Sequence, residues 1–218
     1  MKLHIYFDYT CPFSYISESQ IKAVKPSFPE IELVWHPFEL RPRPIVRPEV
    51  SVDLDTGKAW DPALLAEAAK EGLPLHTPFS PLPYSDRAFQ GMHCVNAGGG
   101  DVQAYNERIF KAVFAEGKDI SDLDVLAEIA NDIGIDAYAF NHQLREGIFK
   151  DAQQKALRHA YFESGVEETP TFKLAGMRIS GAVGREILEK FLGDGLKEEK
   201  KSQKAEADAG QRKEKSRP

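Results

Sequence analysis

Phe7-Asp8-Tyr9-Thr10-Cys11-Pro12-Phe13-Ser14-Tyr15 decides how the rest of the chain is read, because it joins an alternating apolar segment to a helix start and places a cysteine at the joint. Upstream, Leu3, Ile5 and Phe7 alternate with His4, Tyr6 and Asp8, the period of a half-buried strand. Pro12 suits the first helical position, where its fixed φ fits and its missing N–H costs nothing. Cys11 therefore falls at the N-cap. The unpaired N–H groups and the dipole of a first helical turn favour a thiolate, so this position predicts a nucleophilic Cys11 with a depressed pKa. A lone cysteine beside a helix start is by default a small buried apolar residue, so the case for chemistry rests on the rest of the chain.

Ser14 stands where a Cys-x-x-Cys pair would carry its second thiol. It cannot form a disulfide. Its hydroxyl would instead donate to the Cys11 sulfur or cap the helix. A centre with one thiol needs a resolving thiol from elsewhere: a small molecule, the substrate itself, or a distant cysteine.

The 218 residues, 42% of them hydrophobic, suffice for one large domain or one domain with a sizeable insertion. Residues 196–218 hold eight Lys/Arg against five Asp/Glu, or +3, so the net charge of −6 leaves −9 on residues 1–195. An acidic body argues against a nucleic-acid surface. Two cysteines, Cys11 and Cys94, are too few for a disulfide framework and suit a reducing compartment. No apolar run approaches a membrane span, and only five residues separate Met1-Lys2 from Asp8, too few for an export signal. The expectation is a soluble cytoplasmic protein.

Helical spacing follows Pro12 to about Ser27, and Ile31–Trp35 reads as a second strand parallel to the first. Residues 37–60 interleave Pro37, Pro42, Pro44 and Pro48 with Arg41, Arg43 and Arg47, an irregular segment more in keeping with a solvated loop than with an anion site. Asp61-Pro62 opens a helix, and a second proline-rich loop covers residues 76–83. Helices are then expected over 85–96, 101–116, 121–133, 136–146 and 148–164, with a capping-box-like Ser121-x-x-Asp124. Gly98-Gly99-Gly100 lacks phosphate-loop spacing and reads as a linker. Thr171–Leu174 and Met177–Ser180, joined by Ala175-Gly176, give a β-hairpin, and Glu186–Leu192 a last helix. The layout is an α/β domain interrupted by an all-α insertion at 61–146. Lys/Glu-rich residues 194–218 read as a disordered tail.

Cys11-Pro12-Phe13-Ser14 after a first strand, the helical insertion, and Glu168-Thr169-Pro170-Thr171-Phe172 before a hairpin together resemble the DsbA-like branch of the thioredoxin superfamily. Trp35-x-Pro37-Phe38-Glu39-Leu40, Glu116–Asp122, Gly165-Val166-x-x-Thr169-Pro170 and Ser180-Gly181-Ala182 are similar to segments of its FrnE-like subgroup. The resemblance covers about residues 1–193. It implies a thioredoxin fold built from 1–60 and 147–193, a cis Pro170 packed against Cys11, and catalysis by Cys11 with Ser14. It also implies substrate contacts from Pro12, Phe13, Thr169 and Pro170. Without the family, Thr-Pro-Thr-Phe is an ordinary strand entry.

The trailing serine departs from the usual Cys-x-x-Cys. It is similar instead to kappa-class glutathione transferases and 2-hydroxychromene-2-carboxylate isomerases, which implies glutathione as a co-substrate near Gly181 and Ala182, with no permanently bound cofactor. In that group an acidic residue follows where this chain has Val183-Gly184. Three functions therefore stand at this point: a monothiol thiol-disulfide oxidoreductase or isomerase acting on disulfide-containing proteins or small thiols, a glutathione-dependent transferase or isomerase, and a non-catalytic binding module. No metal site is expected, since the histidines show no ligand spacing, and Cys94 reads as a buried structural residue.

Overall fold

The alternation at the N-terminus forms β1, Lys2–Phe7, at the heart of a four-stranded sheet. The computed structural model describes residues 1–46, 60–77 and 80–215, with side chains to Lys201. Arg47 and Pro48 of the proline-rich segment lie outside the described residues. The strand order is β2-β1-β3-β4. β2, Glu32–Pro37, runs parallel to β1 with Ile5 opposite Trp35, while β3, Thr171–Leu174, runs antiparallel with Ile5 opposite Phe172. β4, Met177–Ser180, closes the hairpin over Ala175-Gly176, with the bounds read from the sequence.

Between β1 and β2 lies α1, Pro12–Val24, followed by a 3-10 turn at Lys25–Ser27. Six helices separate β2 from β3: α2 (Pro62–Lys70), α3 (Asp86–Ala97), α4 (Val102–Phe114), α5 (Leu123–Asp132), α6 (Ala137–Glu146) and α7 (Lys150–Arg158). A single π-helical turn, His159–Glu163, continues α7. Asp61, Asp101, Asp122 and Asp136 cap their helices through side-chain oxygens. At α5 the cap is Asp122, accepting from Asp124 N–H at 2.8 Å, and not Ser121, whose hydroxyl donates to Asp119.

The last helix departs from expectation. α8 begins at Arg185 and continues to Lys215 in place of a disordered tail from residue 194. Low hydrophobicity argued for disorder, but Lys, Glu, Ala and Gln are all good helix formers. Lys197–Asp194 and Lys201–Glu198 add ion pairs three residues apart.

Two cores meet at the sheet. Leu3 and Ile5 pack with Ile21 and Val24 of α1, Phe172 and Leu174 of β3, and Leu188 and Leu192 of α8. Phe7, Tyr9 and Tyr15 instead join Phe89, Tyr105, Phe110, Phe114 and Phe140 of the insertion. Full burial of each such side chain is worth about 1.5–3 kcal/mol. The insertion therefore clamps the segment that carries Cys11 from both sides: Phe7 and Tyr9 before it, Tyr15 after it.

Candidate active site

The site forms where β1 ends. Asp8 C=O accepts from Cys11 N–H at 3.1 Å, closing a turn that sets Cys11 at the N-cap of α1 with an extended backbone. Cys11 C=O then accepts from the N–H groups of Ser14 and Tyr15, at 3.0 and 3.2 Å. The Thr169-Pro170 bond is cis, and the Cys11 thiol donates to the Thr169 carbonyl across 3.4 Å. The structure thus brings Cys11, Pro12, Ser14, Thr169 and Pro170 together, with Phe13 exposed at the rim.

Cys11 is 4% exposed. Burial pushes its thiol up from the ordinary value, a correction to the depressed pKa expected from the helix start. Thr169 and Ser14 pull the other way, and burial outweighs them. The Ser14 and Thr169 hydroxyl oxygens are themselves buried and have no hydrogen-bond partner. Both act to favour the ionised form, so the resting thiol is flanked by two donors whose natural acceptor is a sulfur anion.

Gly181 N–H donates to Pro170 C=O at 2.8 Å, fastening the loop after β4 to the cis-proline turn. Its φ of +86° is a conformation that favours glycine. Ala182 lines a groove of about 610 Å³ with Gln20 of α1, Glu67 and Lys70 of α2, Glu71 at its C-cap, and Arg185 at the start of α8. Arg185 pairs with Glu71 at 2.6 Å in its wall.

Cys94 lies on α3, with its thiol donating to Gln143 Oε1 at 3.7 Å beside a small cavity of about 150 Å³ lined by Val95, Ile135 and Phe140. Both cysteines are free. Among the described residues no cluster of three His, Cys, Asp or Glu could hold a metal, and no helix is long and apolar enough to cross a membrane. Arg43, read as part of a solvated loop, in fact pairs with Asp86 at 3.3 Å and stacks on Tyr84 at 3.9 Å.

Asp8 ends the alternating strand with a charge, and its burial beside the Cys11 turn is not evident from the sequence. It is 1% exposed. Oδ1 accepts from Thr10 N–H at 2.9 Å and the Thr10 hydroxyl at 3.0 Å, and Oδ2 from Leu40 N–H at 2.6 Å. Burial raises its carboxyl, opposed by these donors and by the Ser85 hydroxyl. Next to Leu40, buried Glu39 accepts from Gln153 Nε2 at 2.7 Å, and Gln153 Oε1 lies 3.0 Å from His93 Nε2.

The model of the DSBA-like thioredoxin domain matches residues 2–193. The Bacillus subtilis protein YwbO is 36% identical over 201 residues, 89% of this chain and 98% of its own. Among solved structures, a probable DsbA oxidoreductase from Streptomyces coelicolor superposes with a TM-score of 0.77 at 22% identity, covering 90% of each chain. A 2-hydroxychromene-2-carboxylate isomerase gives 0.72 at 22% identity, over 92% of this chain and 98% of that one. The cytosolic disulfide reductase DsbM of Pseudomonas aeruginosa gives 0.65 at 20% identity, over 90% and 99%. At such identities these three likenesses speak for the fold.

Proposed function

This chain belongs to the DSBA-like thioredoxin domain family, and we propose that it is a monothiol thiol-disulfide reductase or isomerase with Cys11 as nucleophile. The observation that carries the reading is the Cys11 sulfur at a helix N-cap, against the cis Thr169-Pro170 carbonyl and flanked by the unpartnered Ser14 and Thr169 hydroxyls.

In the proposed reaction Cys11 gives up its proton, and the thiolate attacks one sulfur of a substrate disulfide. The S–S bond breaks, a mixed disulfide forms on Cys11, and the other substrate sulfur leaves as a thiolate that takes a proton. Ser14 has no thiol to resolve the intermediate. If another thiol of the substrate displaces Cys11, the disulfide is rearranged with no net electron transfer. If one glutathione attacks the Cys11 sulfur and a second then frees it, the substrate leaves as a dithiol and the two electrons appear as glutathione disulfide.

The raised thiol favours these directions over net oxidation. A strong disulfide oxidant depends on a stabilised thiolate, and burial withdraws that stabilisation from Cys11. Phe13, 44% exposed beside the sulfur, offers an apolar contact to an extended substrate. The groove beside Ala182, with Lys70, Arg185, Glu67 and Glu71, supports a small zwitterionic thiol such as glutathione as the resolving co-substrate. One Pseudomonas aeruginosa DsbM structure was obtained with glutathione.

Turnover of a scrambled disulfide protein, with and without glutathione, tests the proposal. Wild type should turn over and Cys11→Ser should not. Equal activity in the two would remove Cys11 from the mechanism. Calorimetric titration with glutathione tests the co-substrate separately, and no heat at millimolar ligand would leave the substrate's own thiol as the resolving group.

A further inference from the structure

We propose that Thr171, backed by Ser180, is a positioning residue of the Cys11 centre: its hydroxyl fixes the peptide carbonyl just before Thr169, so that the Thr169 carbonyl is presented to the sulfur. The inference rests on Cys11 as the reacting thiol and adds the side chains that hold its partner in place.

Three successive carbonyls in this segment have three different donors. Glu168 C=O accepts from the Thr171 hydroxyl at 2.8 Å, Thr169 C=O from the Cys11 thiol at 3.4 Å, and Pro170 C=O from Gly181 N–H at 2.8 Å. The outer two are thus tied to the β-hairpin, one through the first residue of β3 and the other through the residue that follows β4. The middle one is left to face Cys11. The backbone has two soft torsions per residue, so a carbonyl whose neighbours are held on both sides has little freedom to turn away. The Pro170 tie needs only a backbone N–H at the left-handed φ of Gly181. The Glu168 tie needs a hydroxyl at position 171.

The donor directions follow from the protons available. A hydroxyl has one proton, and Thr171 gives its own to Glu168. In the 2.8 Å contact between Thr171 and Ser180 the Thr171 oxygen therefore accepts and the Ser180 hydroxyl donates. The two residues stand opposite each other in the β3–β4 register, Thr171 buried and Ser180 half-buried. The chain from Ser180 through Thr171 to Glu168 runs one way, and each bond polarises the next. Pairing of Thr171 with β1 and β4 is a matter of backbone, so the sheet itself does not call for the hydroxyl. The bond from Cys11 to Thr169 sets where the sulfur lies, and with it the line along which a disulfide can be attacked.

The test is the S–H stretching band of Cys11, read by infrared difference spectroscopy on full-length protein in a Cys94→Ala background, where one thiol reports. The band falls in frequency as the thiol's hydrogen bond strengthens. Thr171→Val, which keeps the branched shape and loses both bonds, should raise it. Thr171→Ser, which keeps the hydroxyl, should return it to the wild-type position, and Ser180→Ala should raise it by less than Thr171→Val. Disulfide exchange should slow about three- to tenfold in Thr171→Val, the effect of one lost hydrogen bond, and recover in Thr171→Ser. Lys173→Met removes a tie from the same strand to Ser164 C=O, away from Thr169, and should leave the band in place. A band unmoved in Thr171→Val, not restored in Thr171→Ser, or moved equally by Lys173→Met overturns the proposal. Should Thr171→Val fail to fold, Ser180→Ala at the half-buried end of the chain decides, and an unmoved band there overturns it. The band is read on resting protein without substrate, so its outcome is separate from that of the reductase reading, which turnover by Cys11→Ser decides.

Discussion

Cys11 and Cys94 are equally hidden, at 4% and 8% exposure, and burial pushes both thiols up. Each thiol also donates to a carbonyl-type oxygen, but the rest of their neighbourhoods differ. Cys11 stands at the start of a helix between two buried hydroxyls and opposite a backbone carbonyl, while Cys94 sits in the last turn of α3 against Val95, Ile135 and Phe140. Exposure therefore does not separate the proposed nucleophile from the other thiol. What separates them is the pair of buried, unpartnered hydroxyls of Ser14 and Thr169 that act on Cys11 and have no counterpart recorded on Cys94.

The largest expected effect sharpens this contrast. Cys11→Ser should lower disulfide turnover by roughly a hundredfold or more, whereas Cys94→Ala should stay within about twofold. Comparable losses in both would break the comparison. Next in size is a change one turn from Cys94. A Cβ at Gly91 would run into the Tyr105 hydroxyl and lie 2.8 Å from Phe140 Cζ, so Gly91→Ala should cost about 1–3 kcal/mol in urea unfolding. Cys11 chemistry in the folded fraction should not change.

Smaller effects are expected from the hydroxyls. Ser14→Ala and Thr169→Val each remove one donor to the thiolate, and each should slow exchange about tenfold. Both should raise the alkylation midpoint of Cys11 and leave that of Cys94 in place. A last effect, seen only as a pH dependence of stability, concerns the polar chain from Glu39 through Gln153 to His93. Burial lifts Glu39 to about 7, above its unfolded value, so the folded state holds a proton that the unfolded state has lost. The stability this confers is present at low pH and is lost as pH rises through about 7. Thermal unfolding at about pH 5 and pH 8 should show wild type losing roughly 1–3 kcal/mol relative to Glu39→Gln.

Local pattern made much of this visible. The hairpin at Thr171–Leu174 and Met177–Ser180 and the N-cap position of Cys11 depend on neighbours within a few residues, and both were legible. The burial of Cys11 was not, because it is imposed by segments far along the chain, including Thr169 and the insertion that packs on Tyr9 and Tyr15. The burial of Asp8 was hidden for the same reason. A charged residue closing a strand looks solvated until Leu40 and Ser85 are known to converge on it. The length of α8 was missed because a segment without an apolar face can still be helical through its own propensity.

The sheet order has a consequence for synthesis. Cys11 leaves the ribosome early, while the carbonyl that accepts its hydrogen bond lies 158 residues later, just before β3. A nascent chain halted before Thr169 therefore carries the sulfur without its latch. A stalled fragment would present that thiol without the Thr169 carbonyl and the cis-proline turn that meet it in the finished protein.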